Sequence, residues 1–276
     1  LAASGLSRRT FLSRAAAMEA GVPDTVPAMN VNRLCGSGAQ AIVSVVQALA
    51  MGDAEFGLAG GAESMSNGPH VMQAARFGQK MGDTAAVDMM IGALNCPFGT
   101  GHMGITAENV ADEHTVTREE MDAFALESQQ RAAKAQAEGY FDEQIVPVPV
   151  KVKREMVDFA RDEHPKETTL EKLASLRPAF KRDGLVTAGN ASGINDGADA
   201  IVLARGAAAE KAGLKPQARV LGYAVAGVRP EVMGIGPIPA VEKLMEKTGL
   251  SAGDFDVIES NEAFAAQALA VTKGLG

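Results

Sequence analysis

The sequence predicts an α/β fold, and three observations lead to that prediction. An apolar segment at residues 26–34 suits a short strand, and a helical pattern at 39–51 that is apolar nearly all round follows it. A second short apolar segment at 56–60 completes the order strand, helix, strand. Small and apolar residues return late in the chain, where we predict a strand at 256–259 and a helix at 263–273. The predicted helix at 39–51 therefore belongs in the core.

The chain between these apolar regions is polar and rich in loops. Residues 64–101 are rich in glycine and methionine and show no period, so we expect irregular structure there. A helix is predicted at 104–113. A second begins after Thr117, with Glu120 at the capping-box position, and ends at Gly139. Beyond it we predict a strand, a charged surface segment and another strand, at residues 144–152, 151–182 and 220–226.

Charge and composition argue against several classes of protein. The net charge is −8 with a pI of about 5.1, whereas nucleic-acid binding needs clustered lysine and arginine. We expect no membrane partner, because we expect no apolar run of the ~18–20 residues that a membrane span needs. Arg8-Arg9 resembles an export signal, but the apolar stretch after it is short and contains Glu19. The two cysteines lie in unlike contexts, which favours a reduced, cytoplasmic setting.

Cys35 is the first candidate for chemistry. It lies between a predicted strand and an apolar helix, where the helix dipole favours the thiolate. Gly36 and Gly38 would let a substrate approach the backbone. Two alternatives stay open from the residues alone. Cys35 can be a buried structural cysteine, or residues 36–41 can be a G-x-G-x-x-A dinucleotide-binding loop, although the expected acidic residue is misplaced.

Asn261-Glu262 is the second candidate, because a polar pair here separates a predicted strand from a helix of small residues. Asn261 can hold a water molecule or an oxyanion donor, or it can simply be the N-cap of the helix. His102, at a glycine-rich boundary between loop and helix, is the most suggestive of the four histidines. We expect the other three histidines to lie at the surface. They are His70, His114 and His164. We expect no metal site, because no histidine has the spacing of a metal-ligand motif.

Taken together, seven runs in the chain resemble the thiolase family, in that family's order. In chain order they are Asn32-Arg33-Leu34-Cys35-Gly36-Ser37-Gly38, Gly60-Gly61-Ala62-Glu63-Ser64-Met65-Ser66, His102-Met103-Gly104-Ile105-Thr106-Ala107-Glu108-Asn109, Arg177-Pro178-Ala179-Phe180, Gly189-Asn190-Ala191-Ser192-Gly193, Met233-Gly234-Ile235-Gly236-Pro237 and Asn261-Glu262-Ala263-Phe264-Ala265. Seven ordered runs are a far stronger signal than any one of them alone.

This resemblance implies a five-layered α/β/α/β/α fold of two similar halves, incomplete here, with a loop domain inserted in the first half. The implied parts are an N-terminal half, the inserted loop domain, a return to the N-terminal half and the start of a C-terminal half, at residues 1–64, 65–195, 196–215 and 216–276. The resemblance also implies an acyl-CoA acyltransferase that makes or cleaves 3-ketoacyl-CoA. It needs no cofactor, because coenzyme A and acyl-CoA are its substrates, and it forms a homodimer or homotetramer.

The same resemblance assigns roles to individual residues. Cys35 matches the nucleophile, and Asn261 matches the asparagine that holds a catalytic water in an oxyanion hole. The positions that match the pantetheine channel and acyl pocket are Leu94, His102, Met103, Phe180, Ala188, Ser192, Ala263 and Phe264. From composition alone, Phe180 and Met103 can equally be core residues.

The resemblance also implies two catalytic residues, a histidine and a second cysteine, at positions beyond Gly276. The sequence starts with Leu1 and stops in mid-pattern, so we expect residues 1–276 to be part of a longer protein and to lack turnover by themselves. A non-catalytic CoA-binding or lipid-binding relative is the alternative. The Asn261-Glu262 pair argues against a decarboxylating ketoacyl synthase, which uses two histidines.

Overall fold

The computed structural model describes residues 11–276, and these residues form two compact units. The first contains the described residues up to Leu94 together with Ile194–Tyr223, and the second contains Asn95–Gly193 and Ala224–Gly276. Both units are therefore built from two separate stretches of the chain. The arginine pair at 8 and 9 lies outside the described residues, and the predicted domain boundaries remain predictions.

The elements of residues 11–276 follow the chain as nine α-helices and eight strands. The helices are α1 Leu12–Glu19, α2 Ser37–Met51, α3 Met89–Ala93, α4 Met103–Glu113, α5 Arg118–Ala137, α6 Leu170–Ala174, α7 Gly206–Lys211, α8 Pro237–Thr248 and α9 Ala265–Leu275. The strands are β1 Phe56–Ser64, β2 His70–Val71, β3 Val87–Asp88, β4 Asn95–Cys96, β5 Gly101–His102, β6 Val148–Val152, β7 Glu155–Phe159 and β8 Asp196–Ala204.

In the first unit, α2 packs on an antiparallel pair of strands, β1 and β8. The pairing runs from Phe56 opposite Ala204 to Ser64 opposite Asp196. Close approach of helix and strand requires glycine at residue 57, because a Cβ there would overlap the side chain of Val45. The predicted strand after α2 is confirmed and is longer than expected. Strand β8 was not predicted.

Helix α2 differs from its prediction as a core helix, because Leu49 is its one fully buried residue. The uncharged stretch Leu34–Met51 has a mean hydropathy of 1.5 over 18 residues, which corrects the expectation that no apolar run reaches this length. Length and composition alone would let such a stretch cross a membrane, and they equally suit the core of a soluble protein. The helix itself has 15 residues, about 22 Å, whereas a bilayer core is about 30 Å thick.

The second unit is built around α4, α5 and α9. Its core contains Ala111, Val116, Met121, Ala265 and Ala266, with Val110, Val232 and Ala270 in an adjoining cluster. The predicted capping box of α5 is confirmed: Thr117 accepts from the amide of Glu120, and the Glu120 carboxylate accepts from the amide of Thr117. The predicted helices at 104–113 and 263–273 are also confirmed, within two residues at each end.

Three predicted strands are wrong, at 26–34, 220–226 and 256–259, where the chain is irregular. Within residues 11–276 no strand is paired with these three segments. Apolar side chains in them, such as Leu221 and Val257, remain 63% and 78% exposed. The strand predicted at 144–152 begins only at Val148, where it pairs with β7. Among the described residues the strands form four two-stranded sheets, so the five implied layers remain a prediction.

Candidate functional site

In the first unit, Cys35 lies in the turn that leads into α2, and its side chain is exposed. The residue before it, Leu34, has a φ of 50°, in the left-handed region that a leucine rarely adopts. A strained residue of this kind costs of order 1–3 kcal/mol and persists only where its surroundings hold it in place. Because the side chain of Cys35 is exposed, the alternative of a buried structural cysteine is wrong.

Two side chains hold this turn. The Oδ1 of Asn32 accepts a hydrogen bond from the amide of Leu34 at 2.9 Å. The hydroxyl of Ser37 accepts from the amide of Arg33 at 2.8 Å and donates to the carbonyl of Leu34 at 2.7 Å. The backbone of Arg33 and Leu34, directly ahead of Cys35, is thus held in place by side chains. Leu94, the other site candidate in this unit, is half-buried at the C-cap of α3.

In the second unit, three predicted pocket residues form an aromatic cluster. The ring of His102 stacks on Phe180, with centroids 4.7 Å apart and an angle of 18° between the planes. Phe264 meets the other side of Phe180 edge-on, at 6.1 Å and 83°. Gly104 makes room for this cluster, because a Cβ on Gly104 would overlap the Phe180 ring. Met103 lies beside His102 at the start of α4 and is half-buried.

His102 is also the N-cap of α4. Its Nδ1 accepts a hydrogen bond from the amide of Gly104 at 3.0 Å, so in the neutral ring the proton is on Nε2. Burial disfavours the imidazolium ion and lowers the pKa of His102 below its ordinary value. A neutral His102 is therefore both the cap of the helix and the partner of Phe180.

Acidification is expected to destabilise this unit through His102. The unfolded chain protonates His102 near pH 6.5, whereas the folded chain does so only at lower pH. Stability is therefore lost as the pH falls from the unfolded pKa to the folded one. Protonation also removes the acceptor for Gly104. Urea unfolding between pH 7.5 and 5 measures this loss, and His102→Asn, which keeps a cap acceptor but does not titrate, should reduce the slope. An unchanged slope in this variant would contradict the assignment.

The segments that carry Ser192 and Phe264 pair with each other. The amide of Ser192 donates to the carbonyl of Ala263 at 2.9 Å, and Ala191 forms an antiparallel bridge with Phe264. The amide of Ala265 donates to the carbonyl of Asn190, also at 2.9 Å. This pairing brings the backbones of Ser192, Ala263 and Phe264 together, and their assignment to a common pocket stays a prediction. Ala188, on the same loop, is exposed.

Asn261 is exposed, and it is not the N-cap of α9, which is Phe264. The interpretation of Asn261 as a simple helix cap is therefore wrong. Its neighbour Glu262 accepts a hydrogen bond from the hydroxyl of Ser128 on α5 at 2.6 Å, which fixes the segment ahead of α9. The prediction that His114 lies at the surface needs correction, because its Nε2 is buried and has no hydrogen-bond partner among the described residues.

Three buried polar residues of the second unit were missed as functional candidates. Glu108 accepts from the amides of Leu185 and Val186, at 2.9 to 3.0 Å. Asp122 and Asn190, each 3% exposed, are bonded to each other at 3.0 Å. Glu108 and Asn190 belong to the quoted runs, but only contacts between distant segments reveal what they do. Within residues 11–276 no group of three or more His, Cys, Asp or Glu side chains is placed to hold a metal ion.

Cys96, the second cysteine, follows Asn95 in the short hairpin formed by β4 and β5 and is half-buried. The hydroxyl of Thr100 bonds to its sulfur and lowers the pKa of the thiol. The lowered pKa increases the thiolate fraction of Cys96, so any measurement of reactivity at Cys35 needs a variant that removes Cys96.

Comparison with known proteins defines the class of this chain. Residues 2–207 match the family described as thiolase, N-terminal domain, and residues 214–276 match thiolase, C-terminal domain. The beta-ketothiolase BktB of Cupriavidus necator is 54% identical over 271 residues, which cover 98% of this chain and 69% of that protein. An acetyl-CoA acetyltransferase of Allochromatium vinosum is 49% identical over 96% of this chain and 68% of its own length.

A solved structure gives the same answer for the fold. Human mitochondrial 3-ketoacyl-CoA thiolase in complex with CoA superposes with a TM-score of 0.93 at 44% identity, covering 99% of this chain and 68% of that one. The chain belongs to the thiolase family and has the thiolase fold. It spans about two thirds of the length of these relatives.

Proposed function

We propose that this protein is an acyl-CoA C-acyltransferase in which Cys35 carries the acyl group. The observation that carries the proposal is the exposed thiol of Cys35 at the start of α2, on a turn held by Asn32 and Ser37. A thiolate is a good nucleophile and a good leaving group, so it suits a two-step acyl exchange. The relatives named above, which are thiolases and acetyltransferases, support this chemistry.

The first step transfers the acyl group to the protein. The thiolate of Cys35 attacks the carbonyl carbon of the acyl-CoA thioester, a new carbon–sulfur bond forms, and CoA leaves as its thiolate. In the second step, a base takes a proton from the methyl carbon of acetyl-CoA, a role that the resemblance gives to the second catalytic cysteine, and that carbon attacks the Cys35 thioester. A carbon–carbon bond forms and Cys35 is released as thiolate, with 3-ketoacyl-CoA as the product. The reverse sequence cleaves 3-ketoacyl-CoA with CoA.

The second unit supplies the other proposed roles. Asn261 holds a water that donates to an oxyanion, as the resemblance implies. His102, Met103, Phe180, Ala188, Ser192, Ala263 and Phe264 bind the substrate, and Leu94 of the first unit is assigned the same role. Support comes from the stacking of His102 on Phe180 and from the backbone hydrogen bond between Ser192 and Ala263 in the second unit.

We further propose a homo-oligomer in the cytoplasm, with the five layers that the resemblance implies. The support for an oligomer is apolar surface in the first unit: Phe77 and Met81 are 89% and 90% exposed. Two free cysteines favour a reducing compartment. Light scattering of the purified protein tests the oligomer, and a monomer at micromolar concentration would refute it.

Mass spectrometry after mixing with acetyl-CoA and rapid acid quench tests the acyl transfer. The reaction is run at pH 7.5 and again at pH 9, where a cysteine thiol ionises without the help of a base. We expect a gain of one acetyl group that peptide mapping locates at Cys35. The adduct should persist in Cys96→Ala and disappear in Cys35→Ala. A folded chain that forms no adduct at either pH but binds CoA would instead indicate a non-catalytic CoA-binding relative.

A further inference from the structure

A buried hydrogen-bond network in the second unit begins at an ion pair on α5. The Nε of Arg118 donates to Oδ2 of Asp122 at 2.7 Å, and the side chains are 17% and 4% exposed. The other oxygen of Asp122, Oδ1, accepts from Nδ2 of Asn190 at 3.0 Å. One carboxylate thus joins α5 to the loop that carries Ser192.

Each partner of Asp122 holds a different segment of the pocket. Nη2 of Arg118 donates to the carbonyl oxygens of Leu173 and Leu176, at 2.6 and 3.1 Å, just ahead of the run that contains Phe180. The side chain of Asn190 fixes its own loop, since its Oδ1 accepts from the amide of Thr187 at 2.8 Å and its Nδ2 also donates to Leu185 at 3.2 Å.

The backbone of Asn190 extends the network to α9. Its carbonyl accepts the amide of Ala265, and the next two residues pair with Phe264 and Ala263. The hydrogen bonds of Asp122 go to Arg118 and Asn190, neither of which is a predicted pocket residue. It sets where they lie, through Arg118 on one side and Asn190 on the other.

Energetics favour positioning over stability as the reason for this arrangement. Burying an ion pair costs several kcal/mol per ion in desolvation, and apolar side chains of similar volume often serve stability as well or better. A network with all its groups bonded instead fixes one geometry. We propose that Asp122 is a positioning residue for acyl-CoA binding, acting through Arg118 and Asn190 on the segments of Phe180 and Ser192. This inference rests on the proposed acyl-CoA function.

The test measures the affinity of the whole chain for acetyl-CoA and CoA by calorimetry, in Asp122→Asn, Asn190→Asp and the double variant that exchanges them. Each single variant loses the hydrogen bond between the side chains at positions 122 and 190. We expect it to bind acetyl-CoA and CoA more weakly by roughly ten-fold or more. In the exchange, the amide at position 122 can accept from Arg118 and donate to the carboxylate at 190, whereas the carbonyl of Leu185 loses its donor. We therefore expect a partial rescue, in which the double variant binds more tightly than either single variant. Asp112→Asn, an exposed position on α4, is the matched control.

A second readout separates positioning from a general loss of stability. Hydrogen exchange of the Ser192 and Ala265 amides should accelerate in the single variants and recover in the exchange, whereas the amide of Val116, bonded to Ala111, should not change. Single variants that melt earlier but bind acetyl-CoA and CoA as tightly as the wild type would overturn the inference alone. A wild-type chain that neither binds CoA nor forms the Cys35 adduct would refute the proposed function. If one single variant does not fold, the other one and the double variant decide: tighter binding in the double variant supports the inference, and binding that is no tighter overturns it.

Discussion

Replacing Glu108 by leucine is expected to lower the free energy of unfolding by about 2–5 kcal/mol. The carboxylate is 6% exposed and accepts from the amides of Leu185 and Val186. Leucine fills similar space but accepts no hydrogen bond, so two backbone N–H groups would remain buried and unpaired. A buried donor without a partner costs about 1–3 kcal/mol. Urea titration followed by circular dichroism measures the loss.

Glu127→Leu is the matched control, because Glu127 lies on the exposed surface of α5, where its side chain pairs with Arg131. An exposed pair four residues apart on a helix is worth about 0.3–0.5 kcal/mol. Hydrogen exchange adds a local readout, since the Leu185 and Val186 amides should lose protection in Glu108→Leu alone. Equal destabilisation by the two substitutions would contradict the role of Glu108 as the anchor of this segment.

Gly104→Ala is expected to destabilise the second unit by about 1–3 kcal/mol, the range for overpacking a tight contact. The added Cβ would overlap the ring of Phe180, which is itself stacked on His102 and flanked by Phe264. The ring must move, so the geometry of the aromatic cluster should change together with the free energy of unfolding. Thermal unfolding and the chemical shifts of the Phe180 ring measure the two effects.

Gly92→Ala is the control for Gly104→Ala, since Gly92 also lies in a helix but has open space where the Cβ would be placed. Alanine in place of glycine should stabilise a helix there by about 0.5–1 kcal/mol. The two substitutions are chemically identical, so opposite signs would show that contact with Phe180 decides the outcome. A neutral Gly104→Ala with an unmoved ring would refute the tight packing.

Local signals predicted the helices of the second unit well. The capping box at Thr117 and Glu120 and the glycine at 139 fix α5 through interactions within a few residues, which a sequence displays directly. The three wrong strands show the opposite case. An apolar segment becomes a strand only when another strand lies beside it, and that neighbour is a property of the fold. Strand β8 was missed for the same reason.

Some residues of the candidate site could likewise be predicted from the sequence, and others could not. Cys35 became a candidate because a thiol followed by Gly36 and Gly38 at the start of a helix is an unusual local pattern. The predicted substrate positions came from the resemblance, since composition alone leaves Phe180 and Met103 equally open to a place in the core. Asp122 carried no local signal, because its partners Arg118 and Asn190 are four and sixty-eight positions away. Only the fold brings the last pair together.

The pairing of β1 with β8 has a consequence for synthesis. Ser64 and Asp196 are 132 residues apart in the chain, and a ribosome adds about 5–20 residues per second. The first strand therefore emerges roughly 7–26 s before its partner exists. During that interval a nascent segment with Phe56 and Leu58 has an unsatisfied edge that invites association with other chains. Chaperone binding to the nascent chain should be strongest in this window, and it should end once β8 has left the exit tunnel.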